Sequence, residues 1–346
     1  MIRNGGMRDA ELSRLLDLTV RVGSDPLLTQ ASTGNISIKR DGILWIKASG
    51  RWMADAAYGD ILIPLDLTQL LNGYLRRHVD PADCYQGAST ETALHAVLPH
   101  RIVLHVHCVN TIAWAVRYDG AARLEQLLQG LCWKWVPYVA SGLPLSRAIE
   151  RVLCTDPNTD VFILGNHGLV VCGNEPEAVE QLLDEVIRRV SIVPRESRAH
   201  DYVVLRAMSR NSGWTVPADE KIHTLGTDPI SRRILAGGTL YPCQAIFSDI
   251  SERNPFLPCS DLESFCDSEA LCSNQPFRIF EGRGVLVSEA ISSAALAMLC
   301  GLAEVLQRLH ASAPVRYLTE LEIGAIPRET VHRYRELASV RLSSAP

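Results

Sequence analysis

Between residues 9 and 23 the apolar positions Leu12, Leu15, Leu16, Leu18 and Val20 recur at helical spacing, until Gly23-Ser24-Asp25-Pro26 breaks the run. The pattern predicts an opening helix. The next segment, TGNISIKRDGILWIKASG, reads as two strands, Asn35 to Lys39 and Ile43 to Lys47, joined at Arg40-Asp41-Gly42, where Asp-Gly is a hairpin turn signal. From Ser89 the stretch STETALHAVL predicts a helix capped by Ser89 or Thr90, which leads through Pro99 into an apolar strand, RIVLHVH. Helices are further expected over Thr111 to Val116, Ala121 to Gln129, Leu145 to Leu153 and Glu175 to Val193. The last has Glu in its first turn and Arg188-Arg189 near its end, the order that suits the helix dipole. Between these helices VFILGNHGLVVCG reads as a strand interrupted by a Gly-Asn-His-Gly turn.

Around Ser209 to Ala218 (SRNSGWTVPA) the periodic pattern lapses, which places the expected boundary between a catalytic domain, 1–210, and a C-terminal α/β region, 211–346. That region contains GGTLYPCQAIF and continues through a cysteine-bearing, Pro-containing middle, 254–277. A strand-like GRGVLVS, an apolar helix from Ala290 to Leu309 and a charged helix over 328–340 follow. No internal repeat or low-complexity tract interrupts the 346 residues.

In RIVLHVH, side chains two residues apart share a face of the strand. His105 and His107 therefore project side by side above Val103, while Ile102, Leu104 and Val106 face the other way. A strand end that presents two imidazoles to one point invites a metal. His167 supplies the third: Gly165 and Gly168 flank it, so the backbone can turn tightly and aim the ring inward from a second strand. Three neutral imidazoles resemble the open three-ligand arrangement of catalytic zinc, which keeps a position for water or substrate. Glu91, at the start of the helix before the histidine strand, is placed to act as a base there. His95, one turn later, is a possible outer partner of a ligand, or a half-buried helix residue.

Composition narrows the setting. Nearly half of the residues (47%) are hydrophobic, enough for a sizeable core, and a formal net charge of -5 without a long Lys/Arg cluster argues against nucleic-acid and membrane-surface partners. No run approaches the roughly 18 apolar residues of a membrane span, and the first residues lack a signal-peptide core, so a cytoplasmic location is expected. Ten cysteines are scattered singly, Cys259, Cys266 and Cys272 being the densest group; they are expected to be reduced and mostly buried.

Four motifs in order, TGNIS, IKASG, STETALH, and HVH followed by NHG, make the chain over about residues 9 to 205 resemble the class II aldolase/adducin family, which includes fuculose-1-phosphate and rhamnulose-1-phosphate aldolases. The resemblance implies an α/β, three-layer fold with a central, mainly antiparallel sheet flanked by helices. It further implies one zinc ion on His105, His107 and His167, with Glu91 as the acid/base carboxylate. A phosphate pocket is implied at Asn35, Ser49, Gly50, Ser89 and Thr90. Lys47, which resembles the WVKGSG-like loop of rhamnulose-1-phosphate aldolase/dehydrogenase fusions, either adds charge to that pocket or is merely solvated.

The activity implied is lyase cleavage of a ketose 1-phosphate to dihydroxyacetone phosphate and an aldehyde through a zinc-stabilised enediolate, in a homo-oligomer, a tetramer. Decarboxylation of a phosphorylated 3-oxo acid and 4-epimerisation of a pentose phosphate use the same site. An adducin-like interaction domain is the non-enzyme alternative, whose signature is loss of the histidines or of the Glu; this chain keeps all four. Two departures stand out. Near Arg123, where the aldolases place a tyrosine acid from a neighbouring subunit, only Tyr118 is close by. In GGTLYPCQAIF, Cys243 and Gln244 replace the acidic residue and histidine of the G-x-x-x-P-D-H motif of longer relatives, so that motif's chemistry is not expected here.

Overall fold

The hairpin expected between residues 35 and 47 joins a seven-stranded sheet whose central strand carries His105. Its strands are β1 (Asn35–Arg40), β2 (Ile43–Lys47), β3 (Leu62–Asp66), β4 (Ile102–Val106), β5 (Trp133–Val136), β6 (Val161–Leu164) and β7 (Gly168–Gly173), in the order β3-β2-β1-β4-β7-β6-β5. All neighbours are antiparallel except β5 and β6. The computed structural model describes residues 10–73, 80–247, 256–257 and 276–326.

Helices α1 (Ala10–Ser24), α2 (Leu67–Asn72), α3 (Pro81–Cys84), α4 (Thr92–Val97), α5 (Val109–Ala115), α6 (Gly120–Leu127), α7 (Leu143–Thr155) and α8 (Pro176–Val190) accompany this sheet. Strand alternation sorts the side chains of β4 as its period requires. Ile102, Leu104 and Val106 pack with Ile36, Ile38 and Val171 against Leu15 and Leu18 of α1 and Leu183 and Val186 of α8. Val103 joins Phe162 and Val170 on the opposite face, under Leu94 of α4 and Ile149 of α7. The result is the expected three-layer arrangement, with helices burying both faces of a mainly antiparallel sheet.

The expected cap of α4 shifts. Glu91 occupies the N-cap position without a side-chain cap bond, and Ser89 and Thr90 lie in the turn before it. The Ser89 hydroxyl accepts the Glu91 N–H (3.1 Å) and the Ser89 carbonyl accepts the Thr92 N–H (3.0 Å), so the serine organises a turn ahead of the helix.

A smaller four-stranded sheet, β8 (Trp214–Thr215), β9 (Phe256–Leu257), β10 (Phe277–Phe280) and β11 (Gly284–Ser288), has the order β8-β11-β10-β9. It is accompanied by α9 (Tyr202–Met208), α10 (Thr224–Thr227), α11 (Pro229–Ala236), α12 (Pro242–Phe247), α13 (Ser293–Gln307) and α14 (Glu320–Gly324). Its core is continuous with α5: Val109, Ile112, Ala113 and Val116 pack with Leu240, Ile246, Leu299, Leu302 and Leu306 in one buried cluster. A chain cut near residue 210 would uncover those side chains of α5. A buried polar contact crosses the same junction, where Asn110 Oδ1 accepts the Ile192 N–H (3.0 Å) and the Arg308 Nε–H (2.8 Å).

Among the described residues no helix is long and apolar enough to cross a membrane. Seven cysteines of the described residues are free thiols, but only Cys108, Cys172 and Cys243 are buried, so the expectation of mostly buried cysteines is corrected: Cys84, Cys132 and Cys154 lie at exposed positions. The expected helix at 328–340 and the cysteines Cys259, Cys266 and Cys272 lie outside the described residues.

Candidate active site

β4 ends at Val106, and its last inward side chain, His105, stands beside His107, the first position after the strand. Between β6 and β7 the chain reverses at Asn166, whose backbone takes a left-handed conformation (φ 50°), and this turn delivers His167. The three buried rings meet in edge contacts, with centroids 4.8 to 5.1 Å apart. One ligand atom from each lies within 4.8 Å of the others. Gly168 makes the approach possible: a Cβ there would lie 2.6 Å from the Val106 carbonyl oxygen and 3.2 Å from His105 Cε1.

The donor set fits a metal ion. His105 Nδ1 lies 3.0 Å from the Leu169 carbonyl oxygen, which can only accept, so the proton sits on Nδ1 and the Nε2 lone pair faces the cluster. His105 Nε2 and His107 Nε2 are 3.0 Å apart, close enough to serve one ion. Burial lowers the pKa of both His105 and His107, the direction that frees these rings for a metal, while Glu91 beside them works the other way.

Glu91 completes the cluster. Its Oε1 lies 3.4 Å from His105 Nε2 and 3.2 Å from His167 Nε2, and its Oε2 accepts the Asn35 side-chain N–H (2.6 Å). Burial works to raise its pKa, but the imidazoles, His105 first and then His167 and His107, hold the carboxyl well below the usual range. It is therefore ionised at neutral pH and able to accept a proton. Asn35 stands directly opposite His105 in the β1–β4 pairing, which is why its amide reaches the same carboxylate.

A cavity of about 500 Å³ opens over this cluster, and Asn35, Lys47, Ser49, Gly50, Ser89, Thr90, Glu91, His107 and His167 all line it. The donors divide by availability. Asn35 directs its amide N–H groups to Glu91 and to Ser89 Oγ (3.4 Å), so in this arrangement it orients the carboxylate. Ser89 Oγ accepts from the Glu91 backbone and from Asn35, which leaves its own O–H free to donate into the cavity. Lys47 is fully buried and donates to the Ser32 (3.1 Å) and Arg51 (2.7 Å) carbonyls; burial, opposed by Glu91 and Asp55, lowers its pKa to about 7. Two carbonyls hold it in place, so it is not the solvated lysine of the second sequence reading.

His95 is a residue of helix α4, fully and not half buried. Its Nδ1 bonds Ser37 Oγ (2.7 Å) instead of a metal-site residue, because Ser37, two positions after Asn35, is the polar group on that face of β1 within reach of α4. Burial pushes its pKa down to about 3. Tyr118 is 74% exposed and does not line the cavity.

Several residues that line or hold the site carry no local sequence signal. Tyr138 lines the cavity, and burial and Glu322 push its phenol up to about 12. Cys243 Sγ lies 3.4 Å from His107 Nδ1, the ring nitrogen turned away from His105, so the thiol takes the outer position beside that ligand. Asp80 brings a second carboxylate to the cavity wall, with Oδ1 accepting the Ala82 N–H (2.9 Å). Asn166 donates to the Leu240 (2.8 Å) and Arg316 (2.9 Å) carbonyls and accepts from Arg316 Nη1 (2.8 Å), which clamps the His167 turn to the C-terminal region. The GGTLYPCQAIF motif offered the only hint, by placing a cysteine where longer relatives carry an acid.

Parts of the chain are similar to known proteins. It is similar to the uncharacterized oxidoreductase YuxG of Bacillus subtilis (strain 168), 27% identical over 192 residues, which are 48% of this chain and 27% of that protein. It therefore spans about a quarter of the length of that curated relative. Among solved structures it is similar to the N-terminal class II aldolase domain of a conserved protein from Thermoplasma acidophilum, at 22% identity and TM-score 0.43, covering 55% of this chain and 98% of that one. It is also similar to L-fuculose-1-phosphate aldolase from Thermus thermophilus, at 18% identity and TM-score 0.37, covering 51% and 92%. Residues 18–192, which contain β1, β4, the three histidines and Glu91, match the family described as Class II Aldolase and Adducin N-terminal domain, and the chain belongs to that family.

Proposed function

We propose that this chain is a metal-dependent lyase that cleaves a ketose 1-phosphate to dihydroxyacetone phosphate and an aldehyde. The observation that carries the reading is the convergence of three buried imidazoles on one ionised carboxylate at the wall of a cavity lined by neutral donors. A zinc ion held by His105, His107 and His167 supplies Lewis acidity toward the carbonyl and hydroxyl oxygens beside the cleaved bond.

The rest is the work of the chain's own groups. In cleavage the C3–C4 bond pair goes to C3, which gains a proton, while the C4 hydroxyl loses one as the aldehyde forms. Glu91, ionised at rest, takes up the proton that the C4 hydroxyl loses and returns it to C3, so no net proton is gained or lost; the reverse direction runs the same transfers backward, and Asn35 fixes which carboxylate oxygen faces the histidines. Ser89, Thr90, Ser49 and Gly50 receive the phosphate, with the free Ser89 hydroxyl as a donor to it. Lys47 adds positive charge to that end when protonated. The proposed organisation is a catalytic domain to about residue 210 and a following region that bounds the cavity. A cyclic homo-tetramer in the cytoplasm belongs to the same reading.

Exchange of the C3 proton of dihydroxyacetone phosphate with solvent tests it. Wild-type zinc enzyme should exchange that proton, and Glu91→Gln should keep fold and zinc but lose about 100-fold or more in rate. Wild-type-like exchange in the variant would remove Glu91 as the base. Carbon dioxide from a phosphorylated 3-oxo acid, with no aldehyde from any ketose 1-phosphate, would establish the decarboxylase instead.

A further inference from the structure

The cavity is chemically two-sided, and the second side comes from residues beyond the family match. α12 turns Cys243, Ile246 and Phe247 to the same side, at the i, i+3, i+4 spacing of one helix face, and all three line the cavity with Pro242. Ile326, just past α14, joins them. Among the described residues this wall carries no charged side chain, whereas the donors assigned to the phosphate come from β1, the loop after β2 and the turn before α4. The polar side chain closest in kind to an acid on this side is the Tyr138 phenol, which lines the same cavity as Cys243 and whose ring centroid lies 5.4 Å from the Arg316 guanidinium carbon.

The wall is also held in place. Gln244 Oε1 accepts the Leu240 N–H (2.8 Å), Asn166 ties the Leu240 carbonyl to the His167 turn, and Ile246 and Phe247 belong to the buried cluster that contains Leu299 and Leu302 of α13. A preformed apolar wall beside the site rewards an apolar ligand and leaves a hydroxyl without a partner.

We infer that the aldehyde half of the substrate is apolar, a short branched aliphatic or aromatic aldehyde whose single oxygen is met by Tyr138, and that Ile246 and Phe247 select it over polyhydroxylated aldehydes. The inference rests on the lyase reading above. It assigns a specificity role to the region after residue 210, supplied by the same chain that carries the three histidines.

The test is the aldol addition catalysed by the zinc-loaded full chain from dihydroxyacetone phosphate and paired aldehydes: isobutyraldehyde and phenylacetaldehyde against glyceraldehyde and erythrose. The apolar members should show kcat/KM at least about tenfold higher, the factor expected for each buried hydroxyl left without a partner. Phe247→Ser and Ile246→Thr should each lower the ratio of apolar to hydroxylated kcat/KM by about tenfold; a general loss of fold or metal lowers both members and leaves the ratio unchanged. Proton exchange on dihydroxyacetone phosphate separates the two failures. If the wild type exchanges but prefers hydroxylated aldehydes, the inference is overturned and the lyase reading stands. If the wild type exchanges no proton, the lyase reading falls and takes the inference with it.

Discussion

Gly168→Ala isolates the packing on which the histidine cluster depends. The methyl group would begin 2.6 Å from the Val106 carbonyl oxygen, 3.2 Å from His105 Cε1 and 3.4 Å from His107 Cδ2. Ordinary contact with that oxygen requires a separation of roughly 0.8 Å more, and the obstacle is strand backbone, which cannot rotate aside as a side chain could. β7 must therefore move off β4 at the register where Leu169 pairs with Val106, and His105 and His107 move with it. Overpacking of this kind costs about 1–3 kcal/mol of stability. A shift of several tenths of an ångström in two of three ligands should weaken zinc by about 10- to 100-fold, the range seen when the support of a ligand is lost. Denaturant unfolding of the metal-free protein measures the first effect, and zinc titration against a competing chelator measures the second. Gly324→Ala is the control, since a Cβ there meets nothing within 4 Å. If Gly168→Ala bound zinc and unfolded like the wild type, the claim that glycine permits the convergence of the histidines would be refuted.

Asn166→Ala should lose about 2–4 kcal/mol on denaturant unfolding, because two carbonyls and Arg316 lose their partner and alanine is strained at φ 50°; Asn166→Gly loses the same bonds without the strain, and equal stability of both variants to wild type would dismiss the clamp. Cys243→Val should weaken zinc binding about tenfold while Cys243→Ser stays near wild type, and identical affinities across all three would show that the thiol does not support His107. Acid should destabilise the metal-free protein through His95. Its pKa falls from 6.5 to about 3 on folding, so between those values the unfolded state binds the proton and the folded state does not. The stability is complete above 6.5 and declines toward pH 3 by about 1.4 kcal/mol per pH unit. His95→Asn should remove one proton's worth of that slope in unfolding free energies measured from pH 7 to 4, and an unchanged slope would contradict the assignment.

Local periodicity was enough to read the strands that hold the site and the faces of β4, because a two-residue repeat assigns His105 and His107 to one side wherever the strand lies. The Gly-Asn-His-Gly turn was legible for a related reason: only a few residue types tolerate such a reversal, so the turn announces itself in composition. Which side chains meet across the chain was not legible. Asn35 could be read as a donor, but its role of orienting Glu91 follows from the β1–β4 register, and the bond of His95 to Ser37 follows from how α4 lies on β1. Cys243 lies 136 positions from His107, Arg316 lies 150 from Asn166, and Tyr138 reaches the cavity from the far edge of the sheet. Hydrophobic spacing encodes how a segment presents a face to a core, whereas the partner that fills that face is chosen by tertiary packing, and through it α12 comes to stand beside the histidines.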